Sequence, residues 1–498
     1  MRQTAYERCE NHASYHPWVE SAIKANSHQR NINKNKKFSN RDPPAACISL
    51  PIIGGLYKLN GYPPEQVLKL SRKTGKMMSI WFGDNYTVFI NDPVLVEEVF
   101  VKNHEVFGDR PFLPSLRLLC DDYNDIFTSG YETWHPIRKA LEPFFTKTKL
   151  KSFNQHVELH ADNLVRKLKE YAQSGEPVDP YPYFKKYFFG IIIKFVLNVD
   201  LAYEESPNEG IMNTMFNPTN ELVQKIASCA VFDTIHVLSP LYYHSMRSFI
   251  QKDMGAIREI CKQHLIQHKS TIDKNNPRDM LDQLILLHFD DELIINLVFD
   301  LLIASVDTPS STLAWFNLAM TNHQHEQEKV RNELRSKFSS SSDIKPTDVN
   351  KTPYTCAALK EIFRLVPPGP FGVPRLARRD INIGGYFIPK GTTVLANWHG
   401  IHRDSYENGD KYLPSRFLKD PGLSTSAGKW APYSIGPRIC LGFRLANDAE
   451  FLAISKIFHR FKVTSVDGSQ LDETPRFGLS VSPKHGHLYK FDLIKQSN

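Results

Sequence analysis

Cysteine is scarce in this chain, and the few that occur form no pattern. The seven (Cys9, Cys47, Cys120, Cys229, Cys261, Cys356, Cys440) are scattered and odd in number, without CxxC or Cys/His spacing. That argues against a disulfide framework or a zinc site and favours a reducing compartment. Long apolar runs are also missing. The most apolar windows, Phe188 to Val199 and Leu293 to Val306, are broken by Lys194 and by Asn296 and Asp300. Both fall short of the roughly 18 uninterrupted residues that a membrane span takes. Charge of one sign is not massed anywhere: 61 Lys+Arg against 54 Asp+Glu leave a formal +7 spread along the chain. No nucleic-acid partner is expected, and a basic docking face for an acidic protein fits at least as well. There is no internal repeat of useful length. The first 42 residues are polar and carry Glu7, Glu10 and Glu20, which argues against a secretory signal or a transit peptide.

What is present suits a large core, with 41% hydrophobic residues in 498. The segment Asn31 to Arg41 (NINKNKKFSNR) has no hydrophobic periodicity and predicts disorder. Pro43, Pro44 and the run Pro51-Ile52-Ile53-Gly54-Gly55 then stiffen the start of a globular part. The expected organisation is a polar leader over residues 1–42 and one domain over 43–498. Apolar spacings of three and four, as in Leu95, Val96, Val99, Phe100 and Leu281, Leu284, Ile285, Leu287, predict helices up to about residue 350. Strand signals are fewer: Met78 to Phe82, Thr87 to Ile90, Ile381 to Ile388, Thr393 to Ala396 and Tyr489 to Leu493. The fold class is therefore mainly α with a small β portion.

One cysteine has unusual neighbours. Residues 430 to 444 read Trp-Ala-Pro-Tyr-Ser-Ile-Gly-Pro-Arg-Ile-Cys-Leu-Gly-Phe-Arg, and a helical run follows. A thiolate just before a helix N-terminus is stabilised by backbone N–H groups and nearby positive charge. Arg438 supplies that charge, and Gly436 and Gly442 let the backbone turn closely around the sulfur. Such a loop suits a soft anionic ligand to iron. Three further pairs stand out. Glu361 and Arg364 lie three apart on one helix face; such spacing alone is that of a surface ion pair, while the flanking Leu359, Ile362, Phe363 and Leu365 favour burial. Asp307 and Thr308 place an acid beside a hydroxyl in an apolar helix, where a charge is rare without a task. Trp134 and Arg138 lie four apart, and an indole N–H with a guanidinium suits a carboxylate.

The loop closely resembles the haem-binding loop of cytochromes P450, in which an aromatic, a glycine, an arginine, the cysteine and a second glycine stand at these offsets. Here they are Tyr433, Gly436, Arg438, Cys440 and Gly442, with Tyr433 in place of the usual Phe. The resemblance reaches from Pro43 to Phe477-Gly-Leu-Ser-Val-Ser-Pro. It implies a single domain shaped as a triangular prism, binding heme b (iron protoporphyrin IX) with Cys440 as axial ligand. It implies that Trp134, Arg138, Arg375 and Arg438 anchor the haem, that Glu361 and Arg364 are tied to Arg416, and that Asp307 and Thr308 relay protons. The implied reaction is insertion of one atom of O2 into a lipophilic small molecule. Electrons would come from an NADPH-dependent reductase, met by a basic face at Lys139, Lys147, Lys149 and Lys151. The variable pocket walls would fall around Pro111 to Gly130, Leu201 to Tyr243, Gly369 to Pro374 and Phe477 to Val481. The Ile388-Pro-Lys-Gly-Thr turn looks like the eukaryotic microsomal branch and so suggests the cytosolic face of the endoplasmic reticulum.

Departures from the family pattern are informative. Ser305 replaces the usual Gly and Pro309 the usual Thr or Ser. Pro309 has no N–H for the carbonyl of Ser305, so a helix kink is expected there. These two, with the polar leader, keep open a haem protein with impaired oxygen activation; a haem-thiolate isomerase or dehydratase that does not use O2 is the other alternative, against which the Asp307-Thr308 pair and the uninterrupted haem loop argue. The polar residues 1–42 stand where the branch carries a membrane anchor. The expectation is a leader that differs from the authentic N-terminus, with a soluble protein or peripheral membrane contact as the other reading.

Overall fold

The structure, a computed structural model, describes residues 34–494 apart from 36, 114, 116–123, 219, 223–232 and 420–428. Most of the polar leader and parts of two expected pocket walls lie outside the described residues.

Helices dominate. The central one, Asp291–Asn322, runs 32 residues and opens on Asp290, whose side chain accepts from the N–H of Glu292. Most of its faces are buried, as an apolar helix at the middle of a domain must be. It packs most extensively on Tyr181–Leu197, which packs in turn on Lys147–Ser174. Phe443–Arg460, the helix after Cys440, lies against both Lys147–Ser174 and the central helix. One cluster of aliphatic and aromatic side chains from these helices forms the main core, including Phe184, Tyr187, Leu297, Phe316 and Leu452.

The β portion is small. Strands β1 (Met77–Phe82), β2 (Asn85–Ile90), β3 (Arg375–Leu376), β4 (Ile381–Ile383), β5 (Tyr386–Ile388), β6 (Thr393–Ala396), β7 (Phe461–Ser465), β8 (Pro475–Arg476), β9 (Ser482–Pro483) and β10 (Tyr489–Leu493) form one four-stranded and three two-stranded sheets. The four-stranded order is β1-β2-β6-β3, with β2 and β6 parallel at Thr87↔Thr393. The expected strand at 381–388 is two strands, folded back at Gly384 and Gly385, both at positive φ. β7 escaped the sequence reading because it follows a helix directly and alternates over only five residues.

Two expectations are corrected. By length and composition the central helix is apolar enough to cross a membrane, but 67% of its apolar window is buried. The residues expected to break it are satisfied inside the fold: Asp300 accepts from the N–H groups of Ile126 and Phe127, and Asn296 donates to the Asn124 carbonyl. The second correction concerns the Asn/Lys-rich segment, whose described residues are held against the globular part. Lys34 Nζ donates to the carbonyls of Gly83 (2.6 Å) and Ile52 (3.0 Å). Asn35 and Ser49 exchange two bonds, and the Phe38 ring sits 5.0 Å from Tyr86. A tether of turns held by single side chains needs no hydrophobic period, so its order was invisible to a periodicity argument.

Phe38 is 39% exposed, so Phe38→Ala should lower unfolding free energy by about 1–2 kcal/mol, part of a full Phe burial. Chemical denaturation of the two proteins measures this, and equal midpoints would show the tether to be idle.

Candidate active site

The cysteine loop is built by its own backbone. Cys440 N–H donates to the Tyr433 carbonyl at 3.0 Å and Ile439 N–H to Gly436 at 2.9 Å, closing the chain into a tight hook. Gly436 has φ +79° and a Cβ there would meet the Phe100 carbonyl oxygen at 2.1 Å, so glycine is required. Gly442 has an ordinary φ and open space at its Cβ position, so the turn does not demand it. Its role is instead its N–H, which bonds the Cys440 sulfur.

Cys440 lies deep in the molecule, yet its side chain is accessible. Burial raises its pKa, against which the Gly442 N–H and the Arg138 charge pull down. This corrects the expected low pKa with Arg438 as its source. Arg138 is the nearer cation, donating to the Ile439 carbonyl at 2.8 Å and to Glu142 at 2.8 Å. Tyr433 uses the hydroxyl that a Phe would lack, which lies 3.1 Å from a Glu450 carboxylate oxygen and 3.2 Å from Asn447 Oδ1 on the following helix and shares its one proton between them. Burial pushes Glu450 up to about 8.

Arg438 and Arg375 are 9% and 5% exposed. Arg438 stacks over the Trp134 ring at 4.3 Å and donates to the Ser129 carbonyl, while Arg375 lies over Phe100 at 5.0 Å. Burial lowers Arg375 to about 9, with Arg438 adding repulsion, and lowers Arg438 to about 10. A third guanidinium, Arg110, is pushed down by burial and then by both neighbours. Sequence reasoning missed it: a lone Arg in Asp-Arg-Pro carries no signal, and only the fold brings it to Val373 and Pro374. Nε and Nη1 of Arg438 and Nε of Arg375 are buried with no hydrogen-bond partner. Buried N–H groups of a cation left unpaired are costly, and this set would suit the carboxylates of a bound anionic group such as a haem.

The central helix offers an unusual face. Among buried neighbours, Ala304 is exposed and Thr308, one turn on, is half-buried. Thr308 Oγ1 donates back to the Ala304 carbonyl at 2.8 Å, and Ser310 and Thr312 do the same to Val306 and Thr308. The helix continues through Pro309. Asp307, 4% exposed, turns the other way and accepts from Ser480.

Behind the loop stands a charged knot. Glu361 and Arg364 have no exposed side-chain surface. Arg364 grips both carboxylate oxygens at 2.7 and 2.9 Å, and Arg416 Nε and the Leu413 N–H reach the same carboxylate at 3.0 and 2.8 Å. Arg364 also donates to the carbonyls of His402, Gly409 and Lys411. His402 passes the support on, because its Nε2 accepts from the Ala431 N–H at the start of the cysteine loop. Burial, with Arg364 beside it, lowers His402 to about 3.

An accessible cysteine sulfur on a tightly hooked loop, buried guanidinium N–H groups without partners and an open turn of the central helix are the features expected of a haem-thiolate protein. The cytochrome P450 family model matches residues 43–491. Similar chains include "Probable cytochrome P450 508D1" of Dictyostelium discoideum, 33% identical, covering 93% of this chain and 96% of that protein. "Probable cytochrome P450 508A4" of the same organism is 32% identical over 87% and 90%. A solved zebra fish cytochrome P450, described with progesterone, shares the fold at TM-score 0.76 and 24% identity, covering 87% of this chain and 100% of that one. The chain belongs to the cytochrome P450 family, and with it to the haem-thiolate monooxygenases.

Two outcomes follow. Glu361→Gln leaves two buried cations facing an uncharged amide and should cost about 3–5 kcal/mol, read as a lost or much earlier thermal transition. His402 has its folded pKa depressed, so its contribution is full above the unfolded value and is lost as pH falls toward about 3. His402→Gln should flatten the stability-versus-pH curve across that window, and an unchanged slope would remove His402 as its source.

Proposed function

We propose that Cys440 is the axial thiolate of heme b, that Arg375, Arg438 and Trp134 hold its propionates with Arg110 beside them, and that Thr308 and Asp307 move protons at the oxygen-binding face. Arg138 steadies the loop from below through the Ile439 carbonyl. When bound, the haem supplies dioxygen activation, which a thiolate ligand promotes. The protein's own part is to hold the sulfur in place on its loop, exclude bulk water and present one hydroxyl to the site. The observation that carries the reading is the accessible sulfur at depth beside unpartnered arginine N–H groups.

The substrate is a lipophilic small molecule. Its pocket would be walled by Phe371 and Leu479, with Phe371 held edge-on between Phe89 and Phe477 at 5.3 and 6.0 Å. Apolar and aromatic walls with few polar groups select such ligands. Electrons come from an NADPH-dependent reductase. Lys139, Lys147, Lys149 and Lys151 are all exposed beside Arg138 and offer its acidic surface a docking face.

Reconstitution with haem followed by the reduced, carbon-monoxide-bound spectrum tests the assignment. Wild type should show the red-shifted band of a thiolate-ligated haem, and Cys440→Ala should not. The same band in both would overturn it.

A further inference from the structure

On the side of the central helix turned from Thr308, four polar groups lie end to end between apolar layers. Ser480 Oγ bonds Asp307 Oδ2 at 2.5 Å, the Ser311 and Ser480 hydroxyls are 2.8 Å apart, and the Tyr181 hydroxyl lies 3.3 Å from Ser311 Oγ. Ser311 is 0% exposed and Ser480 and Asp307 4% each. Tyr181 is half-buried and begins the helix Tyr181–Leu197. At this outer end Lys185 Nζ sits 4.6 Å from the Tyr181 ring centre, and the Tyr181 N–H donates to Asp179 at 3.0 Å. Lys185, Arg476 and Asp179 are the charged groups that face this line along with Asp307. The Trp315 indole, donating to the Val481 carbonyl at 2.9 Å, holds the segment of Ser480 in register with the helix.

The direction of the bonds is fixed by chemistry. An ionised carboxylate only accepts, so Ser480 must donate to Asp307. The Ser480 oxygen is then free to accept from Ser311, and the Ser311 oxygen from Tyr181. All three protons point toward the acid.

We propose that Tyr181, Ser311 and Ser480 form a hydroxyl chain that returns protons to Asp307 from solvent beside Lys185 and Asp179. The proposal rests on the reading of Asp307 as a proton donor to the site. After Asp307 has released a proton on the Thr308 side, Ser480 gives its proton to Oδ2, Ser311 gives its own to Ser480, and Tyr181 to Ser311. Solvent reprotonates Tyr181. One proton enters for each that leaves, each O–H bond broken is replaced by one formed, and no electron moves. Tyr181, Ser311 and Ser480 are thus positioning residues that act through Asp307.

The test uses the haem-loaded full chain with a microsomal NADPH–cytochrome P450 reductase and no added organic substrate. The quantity measured is the partition of consumed dioxygen between water and hydrogen peroxide, in H2O and in D2O. Peroxide escapes when protons arrive late. Tyr181→Phe and Ser480→Ala should lower the water-to-peroxide ratio by roughly tenfold and enlarge the solvent isotope effect on dioxygen consumption. Ser480→Thr, which keeps a hydroxyl, should restore the wild-type ratio. Melting temperature and the reduced carbon monoxide band should stay those of wild type in Tyr181→Phe, which removes one oxygen from a half-buried ring. If that variant and Ser480→Ala partition like wild type while Asp307→Asn shifts to peroxide, the chain is wrong and Asp307 stands. If Asp307→Asn itself shifts nothing, the reading of Asp307 falls and the chain with it.

Discussion

Glu361 is a carboxylate without exposed surface, and the placement of Cys440 depends on how its charge is met. Two guanidiniums and a backbone N–H converge on it. A buried charge of this kind contributes little net stability, since its desolvation offsets much of the attraction. What it supplies is position. Arg364 gives its remaining donors to carbonyls of residues 402, 409 and 411, so one side chain ties the helix Trp398–Asp404 to the irregular segment after it. His402 then bonds Ala431, and Ala431 begins the turn that ends in the sulfur. The loop is thus held from outside by a rigid frame, while its own bonds set its curvature.

The same logic of unequal pairing shapes the other side of the site. Arg110, Arg375 and Arg438 repel one another in a buried setting where Asp109 and Asp125 only partly answer them. Glu361 is a charge fully met, and the arginine trio is a charge incompletely met. The first is architecture, and the second is an affinity for an anionic group. The two carboxyls beyond, Asp307 and Glu450, are each reached by a hydroxyl from a distant segment, from Ser480 and Tyr433 respectively.

Local spacing made part of this legible. Glu361 and Arg364 are three apart, Asp307 and Thr308 adjacent, and the cysteine loop is a short contiguous string, so periodicity and loop chemistry reached them. Arg110, His402 and Ser480 escaped because what gives them meaning is a partner elsewhere in the chain: Asp307 and Ser480 are 173 positions apart. Adjacency found Asp307 and Thr308 but gave no hint of their partners: the acid accepts from Ser480, and the alcohol donates to the Ala304 carbonyl. The strands β1, β2 and β6 were found because they are short runs rich in β-branched and aromatic residues, buried almost throughout, whereas the two-residue strands β3, β8 and β9 are too short to read.

The parallel pairing of β2 with β6 joins residues 87–90 to 393–396, and Asn91 is bonded to Asn397 across 306 positions. During synthesis the early strand therefore leaves the ribosome with one edge unsatisfied and waits for a neighbour made near the end. Closing so wide a loop is slow, and an unpaired edge is the surface on which chains aggregate. The edge of β2 therefore stays open until the chain has been made to within a few tens of residues of the sulfur.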